Sequence, residues 1–236
     1  MNPISSDEFI SEFISFKLDL EKVDRGFTMD WNDKLPILND RTESTPFDKQ
    51  YVYHIGWASR IIANLNPQKH VDIASSHWFP IILSAFLPVE YYDYRPLPIQ
   101  LPNLNTLHAD ITNLPFPDNS IECLSSMHVV EHVGLGRYGD PLDPNGDLKA
   151  IAELKRVVAP RGYLIFVVPV GKPKIQFNAH RIYSYNQIID YFSDFTLLEY
   201  SLISGSDSYN GLIQNATKNQ TDMEDYGCGC FFFRKL

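Results

Sequence analysis

The sequence predicts an α/β fold in which helices cover both faces of a mostly parallel sheet. Short apolar segments alternate with amphipathic ones between residues 70 and 200, an order typical of parallel sheets. Residues 163–168 are apolar at nearly every position, as expected for a central strand that is covered on both faces. Acidic or small residues follow the predicted strands, so we expect a binding site at their carboxyl ends.

Size and composition are those of a globular protein. The chain has 236 residues, of which 44% are hydrophobic and 13% aromatic, so a large core can form. The net charge of −9 argues against a broad phosphate-binding surface, because such a surface needs clustered Lys and Arg. We therefore expect no nucleic-acid partner.

Neither a membrane span nor a disulfide framework is expected. No apolar run approaches the length of a membrane-spanning helix, and residues 1–16 are acidic and interrupted by serines, unlike a signal peptide. Cys228 and Cys230 are expected to form a reduced apolar pair rather than a metal site. The simplest expectation is a cytoplasmic protein, and its oligomeric state is left open.

Two amphipathic helices are predicted before the sheet, at residues 5–20 and 46–65. We assign residues 1–66 to an N-terminal helical extension packed on the core and residues 67–236 to the sheet domain, in one compact domain overall. Asp143 is expected to cap a later helix with Pro144 as its first residue. The predicted strands cover residues 70–74, 89–93, 106–108, 122–126, 163–168, 195–200 and 230–234, with helices at 78–87, 143–159 and 184–192 and a long polar loop at 203–226.

A sheet of this kind binds a nucleoside cofactor through three features at the strand ends. The first turn must let the backbone approach the ligand, usually with glycine, but residues 72–76 read Asp-Ile-Ala-Ser-Ser. Asp93 follows at roughly the 20-residue separation expected of the carboxylate that binds the ribose hydroxyls. Asp110, after the third strand, occupies the place that meets the base, although it is equally well explained as a turn residue.

These motifs, in this order, resemble the class I S-adenosylmethionine-dependent methyltransferases. The matching segments include residues 71–75, Asp93, 109–116, 126–133 and the turn at 157–162. More narrowly, residues 131–140 (EHVGLGRYGD) and 177–181 (FNAHR) are similar to a methyltransferase-like family known mainly as a domain of unknown function. The resemblance covers about residues 71–183 and implies a Rossmann-like sheet of seven strands.

The resemblance also implies S-adenosylmethionine as cofactor and gives roles to named positions. Residues 72 and 74–76 would border its methionine end, Asp93 would hold the ribose, and residues 110 and 111 would flank the adenine. Residues 126–128 would line the floor where cofactor meets substrate. The cofactor-binding candidates are therefore Asp72, Ala74, Ser75, Ser76, Asp93, Asp110, Ile111, Ser126, Met127 and His128.

Catalytic and substrate-binding candidates come from the segments after the fourth and fifth strands. Glu131 and His132 lie where a substrate would arrive, and His132 is either a general base or part of a structural pair. His180 is a third catalytic candidate. Arg181 would bind a substrate carboxylate or phosphate, or pair with an acid of the protein. Together with Arg181, the substrate-binding candidates are Arg137 and Asn178.

A metal site is not expected. The acids Asp140, Asp143 and Asp147 together with His128, His132 and His180 contain suitable ligand types. Helix capping, however, is a sufficient role for Asp143.

The predicted function is methyl transfer to an oxygen or nitrogen of a small molecule or glycan. One alternative is a methyltransferase-like binding module without catalytic activity, which the glycine-free first turn would explain. The other is an NAD(P)-dependent oxidoreductase, which is disfavoured because the Gly-x-Gly-x-x-Gly motif is absent.

Overall fold

The structure is a computed structural model that describes residues 3–23, 25–206, 209 and 211–236. It divides into two compact units, Met1–Phe47 and Asp48–Leu236. The predicted N-terminal extension ended at residue 66, whereas the first unit ends at Phe47. The second predicted helix therefore belongs to the same unit as the sheet.

The described residues of the first unit contain one α-helix, α1 (Ser6–Leu20). The Ser5 side chain caps it by accepting a hydrogen bond from the Glu8 backbone N–H at 3.1 Å. The guanidinium of Arg41 forms ion pairs with Glu8 and Glu12 at 2.6 and 2.9 Å, which hold the later part of this segment against the helix.

The second unit is built on one sheet of eight strands in the order β3-β2-β1-β4-β5-β10-β8-β9. The first five strands of the chain run parallel, and β10 runs antiparallel to both of its neighbours. The predicted Rossmann-like α/β sheet is confirmed, and β9 adds an edge strand to the seven expected. The strands of this sheet are β1 (His70–Ile73), β2 (Val89–Asp93), β3 (Leu104–His108), β4 (Ile121–Met127), β5 (Val158–Val170), β8 (Phe195–Ile203), β9 (Leu212–Gln214) and β10 (Gly227–Lys235).

The helices of the second unit are α2 to α6. The predicted start of α4 was wrong: the helix begins at Gly146, because the Asp143 carboxylate accepts from the Asn145 N–H at 2.9 Å and holds a turn before it. No helix among the described residues has the length and apolar character needed to cross a membrane. The bounds are α2 (Lys49–Leu65), α3 (Trp78–Ser84), α4 (Gly146–Val157), α5 (Tyr185–Tyr191) and α6 (Lys218–Met223).

Helices cover both faces of the sheet, and strand β5 shows why its sequence is apolar throughout. Leu164 and Phe166 face one layer, where they pack with Leu154 of α4. Ile165 and Val167 point the other way, into a second layer that includes residues of α2 and α3. Successive side chains of a strand alternate between faces, so a strand with two buried faces needs apolar residues at consecutive positions.

Four short elements were not predicted from the sequence. A two-stranded antiparallel ribbon pairs β6 (Lys174–Gln176) with β7 (His180–Ile182). The polar stretch 203–226, predicted as a loop, contains β9 and α6, and its residues 207, 208 and 210 lie outside the described residues. All four elements are too short for a clear hydrophobic period.

The segment between β4 and α4 forms a tight loop that depends on glycine. Gly134 has φ +81°, and a Cβ placed there would lie 2.1 Å from the Asp143 carbonyl oxygen. Its N–H donates to the Asp140 carboxylate at 2.7 Å. Gly139, in the same loop, also has a positive φ (+86°), but a Cβ there would have no neighbour within 4 Å.

This contrast predicts different costs for two matched substitutions. Both Gly134→Ala and Gly139→Ala place a side chain in the left-handed region, at a cost of about 1–2 kcal/mol. Only Gly134→Ala also forces a clash with backbone, so we expect its free energy of unfolding to fall by about 1–3 kcal/mol more than that of Gly139→Ala. Urea unfolding of both variants measures the difference, and equal values would contradict the described loop.

Candidate functional site

A cavity of about 480 Å³ lies at the carboxyl ends of strands β1 to β4. Ala74 follows β1, Asp93 ends β2, and residues 109–112 follow β3 in its wall. Parallel strands end at the same edge of a sheet, which brings these separate segments together. The cavity therefore lies where the sequence predicted a binding site.

A second cavity, of about 500 Å³, shares four wall residues with the first. The shared residues are Ala74, His128, His132 and Tyr138. The remainder of its wall comes from five separate parts of the second unit and is mostly polar or aromatic. They are Tyr51, Ser76, Glu131, Arg137, Ala179, His180 and Tyr226.

The structure brings most of the sequence-predicted site residues into these walls. Ten candidates line one or both cavities, and six lie outside both linings. The ten are Ala74, Ser76, Asp93, Asp110, Ile111, His128, Glu131, His132, Arg137 and His180; the six are Asp72, Ser75, Ser126, Met127, Asn178 and Arg181.

Asp72 is buried and shapes the first turn instead of facing the cavity. Its carboxyl group accepts from the Ser75 N–H at 3.1 Å, from the Ser75 hydroxyl at 2.7 Å, and from the Ser125 hydroxyl of β4. The Ser75 hydroxyl in turn accepts from the Met127 N–H at 3.0 Å. Burial raises the pKa of Asp72 to about 7. Asp72 and Ser75 thus connect β1, its turn and β4.

Ala74 supplies the close backbone approach that glycine would otherwise provide. It adopts φ +57°, and its N–H donates to the Tyr92 carbonyl at 2.7 Å. The left-handed conformation is costly for a residue with a Cβ. The turn therefore has a backbone shape that glycine favours, built with the smallest side chain that carries a Cβ.

The two acids predicted to bind ribose and base both face the first cavity. The Asp93 carboxylate accepts from the Tyr91 hydroxyl at 2.9 Å and from the Arg95 N–H at 2.7 Å. One Asp110 oxygen accepts from the Thr112 N–H at 2.8 Å, so Asp110 also has the turn role considered for it. A carboxylate has about four lone-pair sites, so each acid retains acceptor capacity for a ligand.

Arg181 occupies a structural position, unlike the substrate-binding role predicted for it. Its buried guanidinium donates to the Val133 carbonyl at 2.7 Å and to the Pro144 carbonyl at 3.3 Å. Its Nε lies 3.5 Å from the Asp147 carboxylate. These contacts satisfy the donors that a substrate would need, and they hold the β4–α4 loop against β7. Asn178 is exposed outside both cavities.

His132 has a hydrogen-bond arrangement suited to a base. Its Nδ1 lies 2.6 Å from the Ala179 carbonyl oxygen, an acceptor, so the ring proton resides on Nδ1. In the neutral ring Nε2 then carries the lone pair, and it lies 3.7 Å from Glu131. His180 lines the second cavity, where its Nε2 is 2.6 Å from the Gln176 side-chain oxygen, and burial lowers its pKa.

Glu131 and His128 form a buried pair at the boundary of the two cavities. The His128 Nδ1 lies 2.9 Å from the Glu131 carboxylate, and its Nε2 lies 3.3 Å from the Cys228 sulfur. Burial disfavours the imidazolium, but Cys228 and the Glu131 carboxylate outweigh that effect and raise the pKa of His128 to about 10. The second oxygen of Glu131 has no hydrogen-bond partner among the described residues.

Sequence reasoning missed several wall residues. Tyr51 belongs to α2, 77 positions before His128, whose ring it stacks against at 5.5 Å between centroids. Tyr138 contacts the rings of His132 and supports the guanidinium of Arg95 at 4.8 Å. Aromatic residues in a helix or loop give no sequence signal for such roles, because their usual task is packing.

Comparison with solved structures identifies the class of this fold. The YcgJ protein of Bacillus subtilis is 13% identical, over 77% of this chain and 97% of its own, with a TM-score of 0.53. The 1,6-didemethyltoxoflavin-N1-methyltransferase of Burkholderia thailandensis, solved with 1,6-didemethyltoxoflavin and S-adenosylhomocysteine, is 12% identical over 99% and 94% of the two chains, with a TM-score of 0.51. A putative methyltransferase of Bacillus halodurans is 12% identical over 77% and 98%, with a TM-score of 0.53. The chain has the class I methyltransferase fold.

The family follows from the carboxyl-terminal half. Residues 113–236 match the family model described as "Caenorhabditis protein of unknown function, DUF268". This match spans more than half of the chain, which therefore belongs to that family. No curated protein sequence matches the chain.

The raised pKa of Asp72 predicts a pH dependence. An Asp whose folded pKa exceeds its unfolded value, about 3.8, contributes stability that is complete below pH 4 and is lost as pH rises to about 7. Asp72→Asn removes this ionisation. We expect the stability of Asp72→Asn relative to wild type to rise between about pH 4 and 7 and then stay level. Urea unfolding of both proteins across this range is the measurement, and a constant difference would refute the assignment.

The left-handed Ala74 predicts a stabilising glycine. Ala74→Gly relieves about 1–2 kcal/mol of backbone strain. It also increases the conformational entropy of the unfolded chain, which lowers the free energy of unfolding by about 0.4–1 kcal/mol. We expect the free energy of unfolding to change little or to increase by up to about 1 kcal/mol. The control Ala150→Gly, in helix α4, should lower it by about 1 kcal/mol or more. Thermal unfolding that shows equal losses for both would contradict the described turn.

Proposed function

We propose that this protein is an S-adenosylmethionine-dependent methyltransferase that acts on an oxygen or nitrogen of a small molecule or glycan. The observation that carries the proposal is the pair of cavities with a common wall. The first has Asp93 and Asp110 at successive strand ends, and the second has ionisable side chains that include His132, His180 and Arg137. Two reactants bound in such neighbouring cavities meet at the shared wall.

The residues of the first cavity fit the cofactor. Asp93 would accept hydrogen bonds from the ribose hydroxyls, and Ile111 and Asp110 would flank the base. The small side chain of Ala74 and its left-handed backbone leave room for the methionine portion. Acidic side chains also outnumber Lys and Arg side chains in the wall of this cavity, and one of the latter, Lys149, is paired with Asp143 at 2.6 Å. This balance suits a cationic sulfonium.

The chemistry then rests on positioning. When bound, the cofactor supplies an electrophilic methyl group. Holding an acceptor in line with that group accounts for most of the rate enhancement expected of such a site. In its neutral form, His132 would take at Nε2 the proton released by an attacking hydroxyl or amine, and Glu131 at 3.7 Å would stabilise the resulting imidazolium.

The second cavity supports a small, polar acceptor. Its volume of about 500 Å³ is in the range of small-molecule sites. Arg137 and His180 offer hydrogen bonds, and Tyr51 and Tyr226 offer flat aromatic faces. Aromatic faces and hydrogen-bonding side chains also suit a sugar, so glycan acceptors belong in a substrate screen.

The inactive binding module is the second candidate function. Its specific support is Ala74, which takes the left-handed conformation without being glycine. Cofactor affinity and turnover distinguish the two candidates. A module without cofactor would bind neither S-adenosylmethionine nor S-adenosylhomocysteine.

Calorimetric titration of the full chain with S-adenosylhomocysteine tests the cofactor site. Asp93→Ala removes the carboxylate that would accept from the ribose hydroxyls; one hydrogen bond to a charged acceptor is worth about 1.5–3 kcal/mol, so its loss should lower the affinity by roughly 10- to 100-fold. Glu90→Ala is the matched control: this acid lies on the same strand, outside both cavities, paired with Lys69 at 2.9 Å. We expect its affinity to equal that of wild type.

Three results would count against the proposal. Absence of binding by the wild-type chain would favour the inactive module. Equal losses in Asp93→Ala and Glu90→Ala would exclude the ribose contact. Binding of NADH without binding of S-adenosylhomocysteine would favour the oxidoreductase alternative.

A further inference from the structure

Three metal-binding side chains converge beside the second cavity. They are His54 of α2, His128 after β4, and Cys228 of β10, and one ligand atom of each lies within 4.8 Å of the others. Within the described part of the chain, no other group of three or more His, Cys, Asp or Glu residues brings its ligand atoms this close together. Local sequence patterns do not group these three side chains, because more than 70 residues separate each member from the next.

His54 has a ring nitrogen with nothing to bind. Its Nδ1 lies 2.7 Å from the Gln50 carbonyl oxygen, so Nδ1 carries the proton and donates it there. Its Nε2 is then a lone-pair acceptor, and it is buried with no hydrogen-bond partner among the residues described. A buried polar atom left unsatisfied costs about 1–3 kcal/mol. A cation would satisfy it.

His128 is oriented in the way that metal-binding histidines are. Its Nδ1 donates to the Glu131 carboxylate at 2.9 Å, which leaves Nε2 directed at the Cys228 sulfur, 3.3 Å away. In metal sites, a ligating imidazole commonly donates its other N–H to a carboxylate or a backbone carbonyl. His128 has the first kind of partner and His54 the second.

The charges of the cluster also suit a divalent cation. Metal binding would displace the protons held by the Cys228 thiol and by the His128 Nε2. A bound divalent ion would favour the Cys228 thiolate. The ion, that thiolate and the buried Glu131 carboxylate would then sum to zero charge. Two imidazole nitrogens and a thiolate are ligands of zinc-type ions rather than of Mg²⁺ or Ca²⁺.

We propose that the chain binds one divalent transition-metal ion of the Zn²⁺ class through His54 Nε2, His128 Nε2 and Cys228 Sγ. Three protein ligands leave one position of a tetrahedral ion for water or another donor. The ion joins α2 to the loop after β4 and to β10, and it fixes His128 in the wall shared by both cavities. The site is independent of the proposed methyl transfer.

The same domain contains a matched control. Cys123 and His70 form a second buried cysteine–histidine contact, with Sγ 3.3 Å from Nδ1. The other nitrogen of His70 is engaged with the Ser125 hydroxyl at 2.8 Å. Both nitrogens of His70 have partners, so this pair lacks the free ring nitrogen of the proposed site.

The test is titration of the reduced, chelator-treated full chain with Co²⁺, followed by displacement with Zn²⁺. We expect one ion per chain, a thiolate-to-cobalt charge-transfer band and the visible absorption of tetrahedral Co²⁺. Cys228→Ser should abolish the charge-transfer band. His54→Gln should weaken Zn²⁺ affinity by roughly 100-fold or more, since even loss of an outer-shell partner costs about 10- to 100-fold. Cys123→Ser should retain the band and the affinity.

The wild-type spectrum is decisive if a variant fails to fold. No stoichiometric Co²⁺ or Zn²⁺ binding by the folded wild-type chain, at several-fold molar excess of metal, would overturn the proposal. So would an unchanged band in Cys228→Ser, or loss of the band in Cys123→Ser with folding intact by circular dichroism. S-adenosylhomocysteine is absent from these titrations, so the outcome does not depend on the proposed methyltransferase function.

Discussion

The shape of the candidate site depends on the hydrogen bonds of one buried carboxyl group. Asp72 accepts hydrogen bonds from Ser75 and from Ser125, and Ser75 accepts one from the Met127 backbone. These contacts fix the first turn to the neighbouring strand β4, so that Ala74 enters the shared wall of both cavities. Burying a carboxyl group is unfavourable unless its oxygens are satisfied, which explains why this residue is surrounded by hydroxyl and amide donors.

A second buried polar group holds the opposite wall. The guanidinium of Arg181 donates to carbonyl oxygens of the β4–α4 loop and lies near Asp147. The loop needs such anchoring because Gly134 and its neighbours follow a path that no regular hydrogen-bonded element supports. Asp72 and Arg181 thus position the walls without facing the cavities, and the residues that do face them are free to contact ligands.

The sequence predicted the fold and the residues at strand ends well, for a physical reason. Strand β5 is apolar because both of its faces are buried, and parallel strands necessarily end at one edge, so Ala74, Asp93 and Asp110 had to be neighbours. The roles of these residues toward a cofactor remain predictions. The predicted start of α4 was wrong because an Asp before a helix has two possible roles that look alike in the sequence. It can cap the helix, or it can hold a turn before the helix, as Asp143 does with Asn145.

The sequence by itself therefore determined the alternation of strands and helices and the edge of the sheet that carries the site. It also determined which strand-end residues lie at that edge. These properties follow from local periodicity and chain connectivity. Only the tertiary structure decided which partners the long side chains choose. In it, Arg181 donates to backbone carbonyl oxygens and does not face a cavity, and His54 and Cys228 lie beside His128. Such pairings depend on distances between residues far apart in the chain, which local patterns do not specify.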